Sequence, residues 1–265
     1  MSPVVRVPAV AGTFYPADPD ELARTVDALL AEVPDHTEER RPVALIVPHA
    51  GYVYSGPVAT AAYARLRPWR DAIGRVVVVG PAHRVPVRGL ALSSADAFAT
   101  PLGPVHVDHE GVASMLTRPG TAIHDDAHAP EHSVEVHLPF LQRVLGDGWS
   151  LLPVVAGFAS AATVADALAD VWAAPGTLVV ISTDLSHYHD QETATRLDRA
   201  TAASIVAAAW ERLDGARACG AVPLSGALDL VRRRHERIEL LRLQTSADTI
   251  GPPDRVVGYG SFVVR

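Results

Sequence analysis

The sequence contains no lysine; all 23 of its basic residues are arginine. Together with the abundance of Ala, Val and Pro this points to a bias toward GC-rich codons and carries no functional message. Cysteine is nearly absent as well. The single Cys219 excludes an internal disulfide, which suits a reducing compartment. No apolar run reaches the roughly 18 residues of a membrane span, and the N-terminus shows neither a basic region ahead of an apolar stretch nor a cleavage site. A cytoplasmic protein without membrane contact is expected.

Other absences narrow the function. A net charge of -7 excludes a broad electrostatic footprint for nucleic acid. The one basic cluster, Arg232, Arg233, Arg234 and Arg237, falls in a helical pattern and reads as a solvated face. There is no GxGxxG, P-loop, HExxH or CxxC, and Ser55, Ser186 and Ser246 lack the GxSxG of a nucleophile elbow. No linker rich in Gly, Ser or Pro divides the 265 residues, so one α/β domain over 1–265 is expected.

What is present is alternation. Apolar runs at 43–47, 75–79, 151–155, 177–182, 238–243 and 256–264 read as strands buried on both faces. Helical patterns occur at about 57–66, 133–145, 161–173, 191–213 and 223–235. A first helix opens at Asp18-Pro19-Asp20-Glu21, where Asp18 caps and Pro19 suits the first turn, and it ends near Pro34 before a polar loop over 35–41. The order predicts a mostly parallel central sheet covered by helices on both faces. Residues 88–108 interrupt the alternation and read as a β-hairpin inserted beside the main sheet.

Three of the apolar runs end alike. VALIVPHAG reaches His49, RVVVVGPAH reaches His83, and LVVISTDLSHYH reaches Asp184, His187 and His189. If the strands are parallel, all three turns emerge at the carboxyl edge of the sheet, where open α/β sheets bind ligands. Neutral imidazole is the commonest biological metal ligand, so their convergence predicts a metal centre.

Residues 124–142 carry further histidines. His124, His128 and His132 are spaced as on one helical face, but Pro130 disfavours a continuous helix through them. The helix is expected to start near Glu131, leaving His124 and His128 in a surface loop. His132 and Glu135 then become candidate substrate or outer contacts of the site. Cys219 precedes a helical pattern; the helix dipole there favours thiolate, while burial would make it an inert thiol.

Assembled, these residues resemble the Memo family, in particular its bacterial branch called AmmeMemoRadiSam system protein B. The matching blocks are RVPAVAGTFYP at 6–16, VPHAGYVYSGPVA at 47–59, VVVVGPAH at 76–83, EHSVEVHLPFLQ at 131–142, STDLSHY at 182–188, CG at 219–220, then TSADT and VVGYGSFVV near the end. The resemblance implies a fold similar to class III extradiol dioxygenases, whose iron(II) is held by two His and one carboxylate. Memo-like proteins carry two His and a Cys, so the resemblance makes His49, His83 and Cys219 the metal ligands and His187 the acid/base residue. Asp184 would orient a neighbouring imidazole, and Tyr52 and Tyr188 would line the pocket.

One metal ion per chain is therefore expected, with iron(II) first, copper next and zinc also compatible with a thiolate ligand. The expected activity is that of a metal-dependent, dioxygenase-like oxidoreductase acting on a small or peptide-borne substrate. The alternative is a non-catalytic adaptor that keeps the cleft for a partner, the resemblance implying association with an AMMECR1-like protein and a radical SAM enzyme. A lesser option is a hydrolase using zinc-activated water.

Overall fold

The computed structural model describes residues 3–35 and 40–265. From the N-terminus the elements are β1 (Val5–Arg6), α1 (Pro19–Ala31), β2 (Ala44–Val47), α2 (Tyr52–Tyr63), β3 (Arg75–Pro81), β4 (Leu90–Leu92), β5 (Ala97–Thr100) and β6 (Gly103–His106). Then follow α3 (His109–Met115), β7 (Thr121–Ile123), α4 (Asp125–His128), α5 (Leu138–Leu145), β8 (Ser150–Ala156), α6 (Ala161–Ala173) and β9 (Thr177–Ser182). The chain closes with β10 (His187–His189), α7 (Gln191–Val206), α8 (Ala221–Arg234), β11 (Ile238–Thr245) and β12 (Val256–Val264).

Asp18 caps α1 as expected, its side chain accepting the Glu21 N–H, with Pro19 in the first turn. The helix ends at Ala31, before Pro34. Part of the expected 35–41 loop, residues 36–39, lies outside the described residues.

The main sheet has nine strands in the order β10-β12-β2-β9-β3-β8-β4-β7, with β11 on the other side of β12. Its centre, β2-β9-β3-β8, is parallel throughout. The flanks correct the expectation of a mostly parallel sheet: β12 runs antiparallel to β2, β10 and β11, and β4 runs antiparallel to β8. Apolar runs alone do not report direction, because a strand buried on both faces reads the same either way. Buried side chains dominate the four central strands, as the Val, Leu and Ile runs require.

Helices α1, α2 and α5 pack together and α2 rests on β2, β11 and β12; α6 and α8 pack on each other and against β9, and α7 lies against β11 and β12. The expected hairpin exists as β5 and β6, but it joins β1 in a separate three-stranded sheet, while β4 enters the main one. No helix among the described residues is long and apolar enough to cross a membrane.

The segment 124–142 departs most from expectation. Helix α5 starts at Leu138 with Pro139 in its first turn, after a 3-10 turn at Glu135–His137, so Glu131 and His132 lie in the preceding loop and not on a helix. His128 is not a surface residue: it ends α4 at 2% exposure, with Nε2 3.0 Å from the Ala91 carbonyl. Pro130 does break the helix, but the break turns the chain inward. Arg6 seizes it there, donating to the carbonyls of His128 and Glu131 and pairing with buried Glu135.

Burial also sets an acid limit. His137 is pushed down to about 3 and His128 to about 4, in both cases chiefly by burial. Above pH ~6.5 both are neutral folded or unfolded; below it the unfolded chain takes up protons that the folded chain refuses, so stability falls. The melting temperature is expected to drop as pH falls from about 6.5 toward 4, His128 contributing at most about 3 kcal/mol. Thermal melts of His128→Gln, whose amide can still donate to Ala91, should show a shallower decline; an identical decline would refute the assignment.

Candidate metal centre

Because β2, β9 and β3 are parallel neighbours, the turns after them open at one edge. His49 follows β2, Asp184 follows β9, and His83 follows β3. His132 reaches the same place from the loop before α5. Gly80 permits that approach: a Cβ there would fall 2.3 Å from Ser133 Oγ, which instead donates to the Pro81 carbonyl at 2.9 Å.

His49, His83 and His132 form the cluster. Each offers a nitrogen, and these atoms lie within 4.8 Å of one another. Ring centroids are 5.0 Å apart for His49 and His83, 5.4 Å for His49 and His132, and 4.7 Å for His83 and His132. The site opens through His83, whose side chain is 28% exposed against 12% for His132.

Hydrogen bonds prepare two of the rings as ligands. Ser182 Oγ donates to the Ser133 carbonyl at 2.7 Å, so toward His49 Nδ1, 2.6 Å away, it can only accept. That places the proton of His49 on Nδ1 and leaves Nε2 unprotonated, facing Cys219 Sγ at 3.3 Å. His83 Nδ1 lies 3.0 Å from the Glu131 carboxylate, which likewise frees Nε2.

Glu131 escaped the sequence reading as a site residue. Besides the His83 ring it accepts the N–H groups of His83, His132 and Ser133. Burial pushes its carboxyl up, but the hydrogen bonds from His83 and Ser133 outweigh that and hold it down at about 2. The signal in the sequence was its position next to His132, read there as a helical one.

Two of the rings resist protonation. Burial, then the mutual influence of the neighbouring imidazoles, holds His49 well below the ordinary histidine range; burial pulls His132 down to about 4. Neutral imidazole is the form that binds metal.

The other expected site residues fall into two groups. Asp184, His187 and Cys219 adjoin the cluster. Asp184 Oδ1 accepts the backbone N–H of His49 at 2.8 Å, so it holds the main chain there and not the imidazole, and burial pushes its carboxyl up to about 7. Cys219 Sγ lies 3.3 Å from His49 Nε2 and accepts the Asp184 N–H at 3.2 Å. Its thiol is pushed up to about 12 by burial and then by the Asp184 charge, so the expected thiolate-favouring dipole of α8 is overridden. His187 bonds the Leu185 carbonyl through Nδ1 at 2.8 Å, leaving Nε2 free, and is lowered by burial. Its strand holds a bulge at Tyr188, which takes a φ of 63°.

Glu135, Tyr52 and Tyr188 stand apart. Glu135 is fully buried and accepts from Ala9 N–H, Val10 N–H and the Tyr15 hydroxyl besides pairing with Arg6. Tyr52 is a core residue donating to the Val136 carbonyl at 2.6 Å. Tyr188 is 64% exposed, with Arg255 over its ring at 4.5 Å.

Fold and site together define a mixed α/β protein with a three-histidine cluster able to hold a metal ion at the carboxyl edge of its parallel strands. The sequence matches the family described as Memo-like protein over residues 6–263. It is 35% identical to a MEMO1 family protein of Aquifex aeolicus over 270 residues, covering 96% of this chain and 97% of that one. Similar proteins include MEMO1 family proteins of Methanopyrus kandleri, at 36% identity over 98% of this chain and 99% of the other, and of Thermotoga maritima, at 34% with the same coverage. The chain belongs to the Memo family.

Removing the partner of His83 tests the preparation of the site. Glu131→Gln is expected to weaken zinc(II) binding by about 10-fold, the usual cost of losing an outer partner of a ligating imidazole. A competition titration against a chromophoric chelator reads this, and unchanged affinity would remove Glu131 from the site.

Proposed function

We propose that His49, His83 and His132 hold one metal ion per chain and that the protein uses it in redox or dioxygenase-like chemistry on a small or peptide-borne substrate. The observation that carries this reading is the fixing of two imidazoles by Ser182 and Glu131 through Nδ1, which leaves Nε2 as the nitrogen each can offer beside His132. Iron(II) is the first choice, then copper, with zinc third, since imidazole suits all three. Bound there, the metal would supply Lewis-acid or electron-transfer chemistry.

The chain's own groups divide the remaining work. Cys219 is a reserve donor: its proton, held tightly in a buried site, would leave next to a cation, which inverts the local preference. His187 is the acid/base residue, neutral and with Nε2 uncommitted. Asp184 holds His49 in register through its N–H. A fold similar to class III extradiol dioxygenases and a cytoplasmic location belong to the same proposal.

A second reading, a non-catalytic adaptor, is supported by two exposed aromatic side chains at this edge. Tyr188 lies beside His187, and Phe158 follows β8 at 80% exposure. Its partners would be an AMMECR1-like protein or a radical SAM enzyme.

Elemental analysis after purification without a metal-affinity tag separates metal protein from empty cleft. About one equivalent of iron or copper is expected; less than about a tenth, not recovered by anaerobic loading, refutes the metal centre. Comparing His132→Ala with Cys219→Ser then assigns the third donor. The loss should be about 10-fold or more for His132→Ala and smaller for Cys219→Ser, and the reverse order would give the third place to the thiol.

A further inference from the structure

Asp198 lies on α7, away from the three histidines, yet it is 1% exposed. Among the described residues no basic side chain forms an ion pair with it, and burial pushes its carboxyl up. A buried carboxyl without a cation is costly unless its oxygens are used. Asp198 uses one on the turn beneath the metal centre: Oδ1 accepts the Ser186 N–H at 2.9 Å.

The contact is built from both sides. The carboxyl rests on Gly258 so closely that a Cβ there would come within 1.8 Å of Oδ2. Gly258 in turn donates its N–H to the Ser186 carbonyl at 2.8 Å and accepts the Leu185 N–H at 2.8 Å. With the His187 ring bonded to the Leu185 carbonyl, every backbone polar group of Leu185 and Ser186 is committed. Asp184, at the start of this turn, is the residue that grips His49 and Cys219.

We propose that Asp198 is a positioning residue: through the Ser186 N–H, and backed by Gly258, it clamps the turn of residues 184–187 so that Asp184 meets His49 and Cys219 and His187 keeps its ring orientation. The clamp rests on the metal-centre reading for its consequence but not for its existence. Acting through hydrogen-bond acceptance, it does not require charge. An asparagine, whose side-chain oxygen also accepts, preserves it; an alanine does not.

The test uses the full-length chain with zinc(II) as the probe, titrated against a chromophoric chelator. Asp198→Ala is expected to weaken binding by about 10-fold, the scale of a lost outer contact, and Asp198→Asn by less than about 2-fold. The His187 ring ¹⁵N resonances should move in the alanine variant and stay in place in the asparagine variant. Wild-type affinity in Asp198→Ala, or an equal loss in Asp198→Asn, would overturn the proposal.

Should Asp198→Ala fail to fold, hydrogen exchange of the wild-type Ser186 amide decides. Protection comparable to that of the β9 amides is expected, and exchange at the rate of an exposed amide overturns the clamp. These amide and ring signals need no metal. Failure of the wild-type protein to bind zinc would therefore refute the metal centre and leave the clamp to be judged on them.

Discussion

Burying imidazole without protonating it is the constraint on which the carboxyl edge of this sheet depends. A buried ring has two nitrogens to account for, and an unpaired one is costly. Buried His49 meets the requirement by committing Nδ1 to Ser182, and His83, at the open side of the site, commits its Nδ1 to Glu131 in the same way. Ser182 and Glu131, which take those protons, come from β9 and from the loop before α5. The centre therefore exists only when both are docked, and the docking of the loop depends on Gly80 beneath it and Arg6 behind it.

The buried carboxylates show how one chemical group is turned to different tasks by its surroundings. Glu131 collects several N–H donors and stays ionised, which lets it orient His83. Asp184, with burial prevailing, titrates far higher while gripping His49 through the backbone. Glu135 faces a guanidinium and ties residues 6–15 to the loop that carries His132. The nitrogen donors are thus arranged by carboxylates, and the cluster itself is made of imidazole.

Two proton-resistant imidazoles and a tightly held thiol give the site its chemical character. His49 and His132 have little affinity for protons, so metal does not have to compete for them near neutral pH. Cys219 differs, because its proton leaves only when a positive charge arrives. Affinity at such a site should rise with pH through the thiol if sulfur enters the coordination sphere, and change little if it does not.

Strand and helix positions were legible in the sequence because their signals are local. Val, Leu and Ile runs locate β2, β3, β8 and β9, Asp18-Pro19 locates the start of α1, and the polar turns after the strands locate His49, His83 and Asp184. Strand direction was not legible at the flanks, since pairing is a long-range choice that leaves no mark on a doubly buried run. Nor were the roles of Glu131, Glu135 and Asp198. Periodicity can suggest that Glu131 and Glu135 share a helix face, but only the docking of Arg6 decides that one points to His83 and the other into the core. The sequence determined which residues stand at the ends of parallel strands; tertiary structure alone decided which of them meet, because the third histidine arrives on a loop whose path is set by contacts more than a hundred residues away.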